Sequence, residues 1–194
     1  MNITTEQIKE LRDETGVSVM QCKKALEEAE GDLEKAKIIL RKISKQSADK
    51  KASRTLGAGT VASYIHGDGK VGSIMELLCE TDFVARNDEF KALAKDIAMH
   101  ITALAPEYLK MEDVKEEEKT KAKELFEKEL VGKPKEIHDK IMDGKLSAYF
   151  GEKVLLEQTF IKNPEVTIRT LVEQANQKFG ERTEIGRFVR FSIN

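Results

Sequence analysis

The sequence is poor in cysteine, and its positive and negative charges nearly cancel. Only two of its 194 residues are cysteine, Cys22 and Cys79, which is too few for a disulfide framework, and they form no Cys-x-x-Cys pair. We therefore expect a protein of a reducing compartment. The net charge is only −2, which argues against a general attraction of nucleic acid to the surface.

Long hydrophobic runs are also absent. No stretch approaches the roughly 18 uninterrupted apolar residues of a membrane-spanning helix. The first six residues have neither the basic region nor the apolar run of a secretory signal. With 40% hydrophobic and 35% charged residues, the chain can build a packed core beneath a solvated surface. We predict a soluble cytoplasmic protein with no membrane partner.

Motifs of catalysis and of metal or nucleotide binding are missing as well. The three histidines, His66, His100 and His138, are scattered and match no metal-ligand spacing. Residues 67–70, Gly-Asp-Gly-Lys, lack the other residues of a phosphate-binding loop. The acids that follow Cys79 would raise the pKa of its thiol, which disfavours a nucleophile. The sequence thus predicts no catalytic residue, no metal site and no cofactor, and a protein that is not an enzyme and works through its surfaces.

Residues 1–44 predict three short helices that pack as a small bundle. Thr4 and Ser18 are each followed three residues later by Gln, as in a capping box, and Asp32 can cap the third helix. Gly16 and Gly31 stand where helix ends favour a positive φ. The small core of such a bundle makes it marginally stable alone.

Residues 45–57 are interpreted as a basic linker. Residues 41–54 carry six basic side chains and one acid, and we expect the end of a helix to run into an exposed connector. One alternative is an RNA contact through Lys45, Lys50, Lys51 and Arg54, although no aromatic residue is interleaved for base stacking.

Residues 58–194 predict an α+β core with a small antiparallel sheet. Two extended segments, 60–66 and 71–79, flank a glycine-rich turn and indicate a β-hairpin. A long helix ends at Pro106, and the charged segment 111–147 predicts a projecting helical hairpin, broken at Gly132 and Pro134. Its predicted apolar anchors are Leu125, Phe126, Ile137 and Ile141. In the last strand, Ile185, Val189, Phe191 and Ile193 alternate with Phe188, Arg190 and Ser192.

The most informative stretch is 80–86, Glu-Thr-Asp-Phe-Val-Ala-Arg, between a predicted strand and a predicted helix. A connection of this kind runs over the surface. It sets the bulky Phe83 beside the carboxylate of Asp82. The ring then either folds back beneath its own loop or is held out for a partner.

Several motifs resemble the translation elongation factor Ts family and occur in that family's order along nearly the whole chain. The main matching segments are 11–16, 21–32 and 76–87, and within them Cys-Lys-Lys-Ala-Leu (22–26) and Thr-Asp-Phe-Val (81–84) are highly specific. Weaker matches cover 155–160 and 187–191. The sequence departs from the family at Leu78, where Asn is usual, and at Thr159, where Pro is common.

This resemblance implies a guanine nucleotide exchange factor for the GTPase elongation factor Tu. The N-terminal bundle would be the family's ubiquitin-associated-like domain, which docks on the GTPase with Val17 and Met20 as contacts. The loop of Thr81, Asp82, Phe83 and Val84 would displace Mg²⁺ in the partner. The chain resembles the short members, which form homodimers, and His66 lies in a motif that resembles a further contact with the GTPase.

Three other functions remain open from the sequence alone. A helical adaptor would bind a protein through the bundle and dimerise through the core without affecting nucleotide release. An RNA-associated protein would use the basic linker and would lose affinity steeply with salt. A thiol enzyme would depend on Cys79.

Overall fold

In this computed structural model, which describes residues 3–129 and 138–193, the chain begins with three capped helices. They are α1 (Thr5–Thr15), α2 (Val19–Glu28) and α3 (Leu33–Lys51). Thr4 and Gln7 complete the predicted capping box of α1, and Ser18 and Asp32 cap α2 and α3 through their side chains. Their apolar faces enclose a small core of eight buried residues: Leu11, Val17, Cys22, Ala25, Leu26, Ala29, Ala36 and Leu40.

The remaining described α-helices and strands follow in this order: β1 (Ala58–His66), β2 (Val71–Cys79), α4 (Asp82–Ala85), α5 (Asp88–Leu104), α6 (Glu116–Glu129), α7 (His138–Gly151), β3 (Thr159–Phe160), β4 (Asn163–Thr167), α8 (Ile168–Phe179) and β5 (Glu184–Ser192). β1, β2 and β5 form an antiparallel sheet in the order β1-β2-β5, and β3 pairs with β4. The fold class is therefore α+β, as predicted. No described helix is long and apolar enough to cross a bilayer.

The predicted linker is wrong over its first half, because α3 does not end near residue 44 but continues to Lys51. Ser44 is buried and its hydroxyl donates to the Gln177 side chain on α8. About two turns of α3 further along, the Lys51 ammonium donates to the Asn176 carbonyl at 2.7 Å. Packing against α8 stabilises a helix extension that local sequence signals did not reveal.

The main core lies between the sheet and α5. One face of α5 buries Phe90, Ala94, Ile97, Ala98 and Ile101, and this face meets Met75 and Leu77 of β2. α8 closes the core through Ile168 and Val172, and Phe179 packs edge-on against Phe90 with ring centroids 5.5 Å apart. On the opposite, outer face of the sheet, Val61, Ile74 and Val189 are exposed.

A bulge in the sheet places Ile185 of β5 on the opposite face from Val189 and Phe191, which the alternation in the sequence had grouped with it. Met75 pairs with Phe188, but Leu77, two residues later, pairs with Ile185, three residues away on β5. The extra residue shifts the alternation by one position. As a result both Ile185 and Phe188 contact the main core, whereas Val189 and Phe191 are exposed on the outer face. The prediction that Ile185 shares a face with Val189 and Phe191 is therefore wrong.

α6 and α7 contact each other, and their common base has a small core of Val114, Ala122, Phe150 and Val154. Phe126 is half-buried and stacks edge-on against Tyr149, but the predicted anchor Leu125 is 53% exposed. Ile141 is half-buried. The predicted break at Gly132 and Pro134, and Ile137, lie outside the described residues.

His100 links α5 to the base of the α6–α7 pair. Its side chain is fully buried. The Ile161 amide donates to its Nδ1 at 3.3 Å, so Nε2 carries the proton and donates to Gln158 at 3.0 Å. The Gln158 amide then donates to the Glu152 carbonyl at the end of α7. Burial lowers the pKa of His100, since the charged form would lose water without gaining an anion.

Two residues that depart from the family pattern have different surroundings. Leu78 is half-buried on the outer sheet face, between Gly59 of β1 and Gly186 of β5. A Cβ at Gly186 would approach a Leu78 methyl to 3.0 Å, so the absence of side chains at both glycines accommodates Leu78. Thr159 is exposed on β3.

Candidate partner-binding surface

The stretch that the sequence singled out forms one turn of helix rather than a loop. β2 ends at Cys79, and residues 82–85 form α4, whose N-terminal flanking residue Thr81 is extended. Asn87 then begins α5 by accepting a hydrogen bond from the Glu89 amide at 2.8 Å. The turn is therefore confined at both ends by regular structure.

α4 has one buried and one exposed side. Val84 and Ala85 are 5% and 7% exposed and belong to the main core. Asp82 and Phe83 lie on the other side, and Phe83 is 85% exposed, the highest value among the large hydrophobic side chains of the described residues. Val84 therefore anchors the turn from inside the core, and its predicted contact with a partner stays a prediction that this burial does not favour. The ring of Phe83 is held out.

The carboxylate of Asp82 has one weak partner. Its Oδ2 lies 3.9 Å from the Arg86 guanidinium, and both side chains are about four-fifths exposed, at 79% and 82%. An exposed pair of this kind contributes little to stability. Asp82 can consequently exchange Arg86 for a group on a partner at small cost.

Hydrogen bonds to a distant carboxylate hold the base of the turn. Glu181, which follows the end of α8, accepts from the Thr81 amide at 3.0 Å, the Thr81 hydroxyl at 2.6 Å and the Glu80 amide at 3.1 Å. Sequence reasoning missed Glu181, because it stands 100 residues from Thr81 in no recognisable motif.

Cys79 is a structural residue of the same base. It is fully buried, and its thiol donates to the Thr81 carbonyl at 3.3 Å. Burial, and secondarily the charge of Glu181, raise the pKa of this thiol. A buried thiol with a raised pKa is unsuited to nucleophilic attack, so the structure does not favour a thiol enzyme.

The other predicted contacts lie apart from this turn. Met20 is 66% exposed at the start of α2. His66 is exposed at one end of β1. The other end of that strand, at Ala58, pairs with Cys79 and lies next to the Phe83 turn. Eight residues of strand separate these ends, about 26 Å. Val17 is 1% exposed, and its side chain lies in the core of the bundle, next to the Ser18 cap, so its contact with a partner stays a prediction that this burial does not favour.

The basic segment is partly engaged within the protein. Lys51 donates to the Asn176 carbonyl, and burial lowers the pKa of its amine. Arg54 pairs with Glu80 at 3.2 Å. Two of the four cations of the predicted RNA contact are therefore directed towards their own chain. Within residues 3–129 and 138–193, no three His, Cys, Asp or Glu side chains are grouped to hold a metal ion.

Comparison with known proteins assigns the family. The family model described as Elongation factor TS matches residues 4–194. The chain is 50% identical to Elongation factor Ts of Thermodesulfovibrio yellowstonii, over all of this chain and 97% of that protein. It is 48% identical to that of Heliobacterium modesticaldum, over 98% of this chain and 90% of the relative. It is also 47% identical to that of Coprothermobacter proteolyticus, over all of this chain and 99% of the relative. The chain belongs to the elongation factor Ts family and is a translation elongation factor.

Proposed function

We propose that this protein is a guanine nucleotide exchange factor that binds elongation factor Tu with GDP and accelerates release of the nucleotide. The single observation that carries the proposal is the exposed Phe83 on a turn whose other side is buried. Contact of an 85% exposed aromatic ring with water is unfavourable, and a partner that covers the ring removes this cost. Its place in the motif that resembles the family's exchange segment indicates the partner.

Phe83 acts as a wedge. Burying a Phe side chain from water contributes roughly 1.5–3 kcal/mol, and nearly all of this is available because little of the ring is covered in the free protein. The buried Val84 and Ala85 keep the turn in place while the ring enters the partner. This free energy is therefore released only in the complex. There it stabilises the conformation of the GTPase that holds the ring, relative to the conformation that binds the nucleotide.

Asp82 adds an electrostatic contribution beside the wedge. Mg²⁺ neutralises phosphate charge in a GTPase site, and its loss weakens nucleotide binding. A carboxylate brought next to the wedge disturbs the groups that hold this ion. Each loss of about 1.4 kcal/mol lowers the nucleotide affinity tenfold.

The protein works by coupled binding and is not an enzyme that transforms a substrate. If it lowers the affinity of the GTPase for GDP by some factor, GDP lowers the affinity of the GTPase for this protein by the same factor. No covalent bond has to form or break. The protein can thus be released and act again, with no cofactor of its own.

The test is the rate at which a fluorescent GDP leaves elongation factor Tu in stopped flow, with Phe83→Ala compared with the unmodified chain. Loss of roughly 1.5–3 kcal/mol predicts a roughly ten- to hundredfold smaller kcat/KM for exchange. Ile161→Ala is the matched control, since it removes a 47% exposed apolar side chain from the turn between β3 and β4 and is expected to leave exchange unchanged.

Two outcomes would contradict this proposal. Full stimulation by Phe83→Ala would refute the wedge. Tight binding of elongation factor Tu by the unmodified chain, without faster GDP release, would favour the alternative of a non-catalytic adaptor.

We also propose that the protein forms a homodimer through the outer face of the sheet. Val61, Ile65, Ile74, Val189 and Phe191 are 42–70% exposed on this face. The adjacent Glu76 and Arg187 pair with each other at 2.7 Å, so they bring little net charge to the face. A second copy fits because a two-fold axis sets the same apolar patch against itself. The short relatives that the sequence resembles support this choice of occupant.

Met20 and His66 are proposed as further contacts with the GTPase. Because His66 lies about 26 Å along the sheet from the Phe83 turn, it would touch a separate part of the partner. In a homodimer that contact can come from the second protomer. Met20 presents a flexible apolar side chain at the start of α2.

A further inference from the structure

We infer that Glu181 is a positioning residue for the exchange segment, and this inference rests on the proposed function. It makes no contact with the exposed ring. Its carboxylate instead accepts three hydrogen bonds from the two residues that precede α4, through both of its oxygens. It therefore fixes the point from which Asp82 and Phe83 project.

The position of these bonds gives them their effect. Thr81 stands at the N-cap of α4, where a Thr side chain usually accepts from the helix. Here its hydroxyl makes no such cap and is directed to Glu181. Glu181 therefore orients this residue in place of the local cap, and it acts across the gap between β2 and the start of β5.

A second carboxylate crosses between the same two segments in the opposite direction. Glu80, next to Thr81, accepts from the backbone amide of Arg182, next to Glu181. That amide, and secondarily Arg54, hold the pKa of Glu80 below its ordinary value. The Arg182 guanidinium donates in turn to the Arg54 carbonyl. Two adjacent residues on each segment are thus linked reciprocally.

These hydrogen bonds hold the turn from outside the core, while Val84 and Ala85 hold it from inside. The Cys79 thiol also donates a hydrogen bond to the Thr81 carbonyl. α4 is only four residues long, and a helix of that length is not stable alone. Without Glu181, the Thr81 end would sample several directions, and the ring would have to be ordered during binding. That ordering raises the free energy of the wedged state and leaves contacts elsewhere unchanged.

The experiment compares Glu181→Ala, Glu181→Gln and the control Glu157→Ala, whose carboxylate pairs only with Arg169 among the contacts described. For Glu181→Ala we expect the maximal rate of GDP release from elongation factor Tu to fall about tenfold, with the half-saturating concentration changed less than about twofold. Glu181→Gln keeps one carbonyl acceptor and should recover part of this loss. Glu157→Ala should behave as the unmodified chain.

A second measurement separates positioning from general destabilisation. Amide hydrogen exchange should accelerate at Glu80 and Thr81 in Glu181→Ala, while amides of α5 and β2 keep their protection. In addition, Glu181→Ala should cause a smaller further loss of exchange activity in a chain that already carries Phe83→Ala than in the unmodified chain, because Glu181 acts through the residues that it positions, Phe83 among them.

The inference is overturned if Phe83→Ala impairs GDP release but Glu181→Ala retains both the full rate and slow amide exchange at Thr81. Equal losses from the two variants that add independently would overturn it as well. In both cases the proposed function stands. If the unmodified chain does not accelerate GDP release at all, the proposed function fails and this role of Glu181 fails with it.

Discussion

Replacing Phe191 by Asp is the sharpest test of the outer sheet face. Phe191 is 67% exposed, and it lies across Gly72 from Ile65, which is 70% exposed, because both residues pair with that glycine. Gly72 has no side chain, so the two apolar residues border a shallow furrow. An Asp in this furrow brings a charge into the proposed interface from each protomer.

The size of the effect follows from the exposed fraction. Full burial of a Phe side chain contributes roughly 1.5–3 kcal/mol, and two-thirds of that is roughly 1–2 kcal/mol. Because each protomer of a two-fold dimer contributes one Phe191, the loss of dimerisation free energy is roughly 2–4 kcal/mol, before any cost of burying the carboxylates. At about 1.4 kcal/mol per decade, the Kd for dimerisation should rise at least about thirtyfold.

Sedimentation velocity over a concentration series measures this Kd directly. Phe83→Asp is the matched control, since it removes an even more exposed ring that lies on α4 and outside the sheet. It should leave dimerisation unchanged. Circular dichroism should show unaltered folding of Phe191→Asp, because the side chain points away from the core. A monomeric unmodified chain, or equal association of Phe191→Asp, would refute the proposed interface.

Two further predictions concern stability. His100 has a folded-state pKa below its ordinary 6.5, so its contribution is complete above about pH 6.5 and declines as the pH falls below this value, where the unfolded chain takes up the proton more readily. Urea unfolding at pH 7.5 and 5.5 should show a smaller pH-dependent loss for His100→Gln, and an equal loss would contradict the assignment. For Gly59→Ala, the new Cβ would approach the Leu77 carbonyl oxygen to 2.5 Å, which should lower the free energy of unfolding by about 1–3 kcal/mol. The control Gly144→Ala, in α7 with no atom within 4 Å of its new Cβ, should leave stability unchanged or raise it by up to about 1 kcal/mol; a stable Gly59→Ala would show that the strands can shift apart.

Local signals in the sequence identified most of the elements. Helix caps at Thr4, Ser18 and Asp32 act within three residues, so the pattern alone locates the starts of α1, α2 and α3. The β-hairpin follows from two extended runs around a glycine-containing turn, where Gly67 and Gly69 have positive φ. These features depend on interactions between residues close in the chain.

Elements that depend on distant partners were not predictable in this way. The extension of α3 to Lys51 depends on α8, and the burial of Val17 depends on how three helices meet. The facing of Val189 and Phe191 depends on a bulge whose cause lies in the pairing of β5 with β2. An alternation of apolar residues looks the same with or without such a bulge.

The sequence by itself determined the family, the fold class and the turn that carries Asp82 and Phe83, because these are written in contiguous motifs. It left open whether the ring of Phe83 turns inward or outward. Only the tertiary structure decided this, by burying Val84 and Ala85 beneath the turn and bringing Glu181 to its base. The physical reason is that an exposed ring on a four-residue helix is held by contacts that the chain makes 100 residues away.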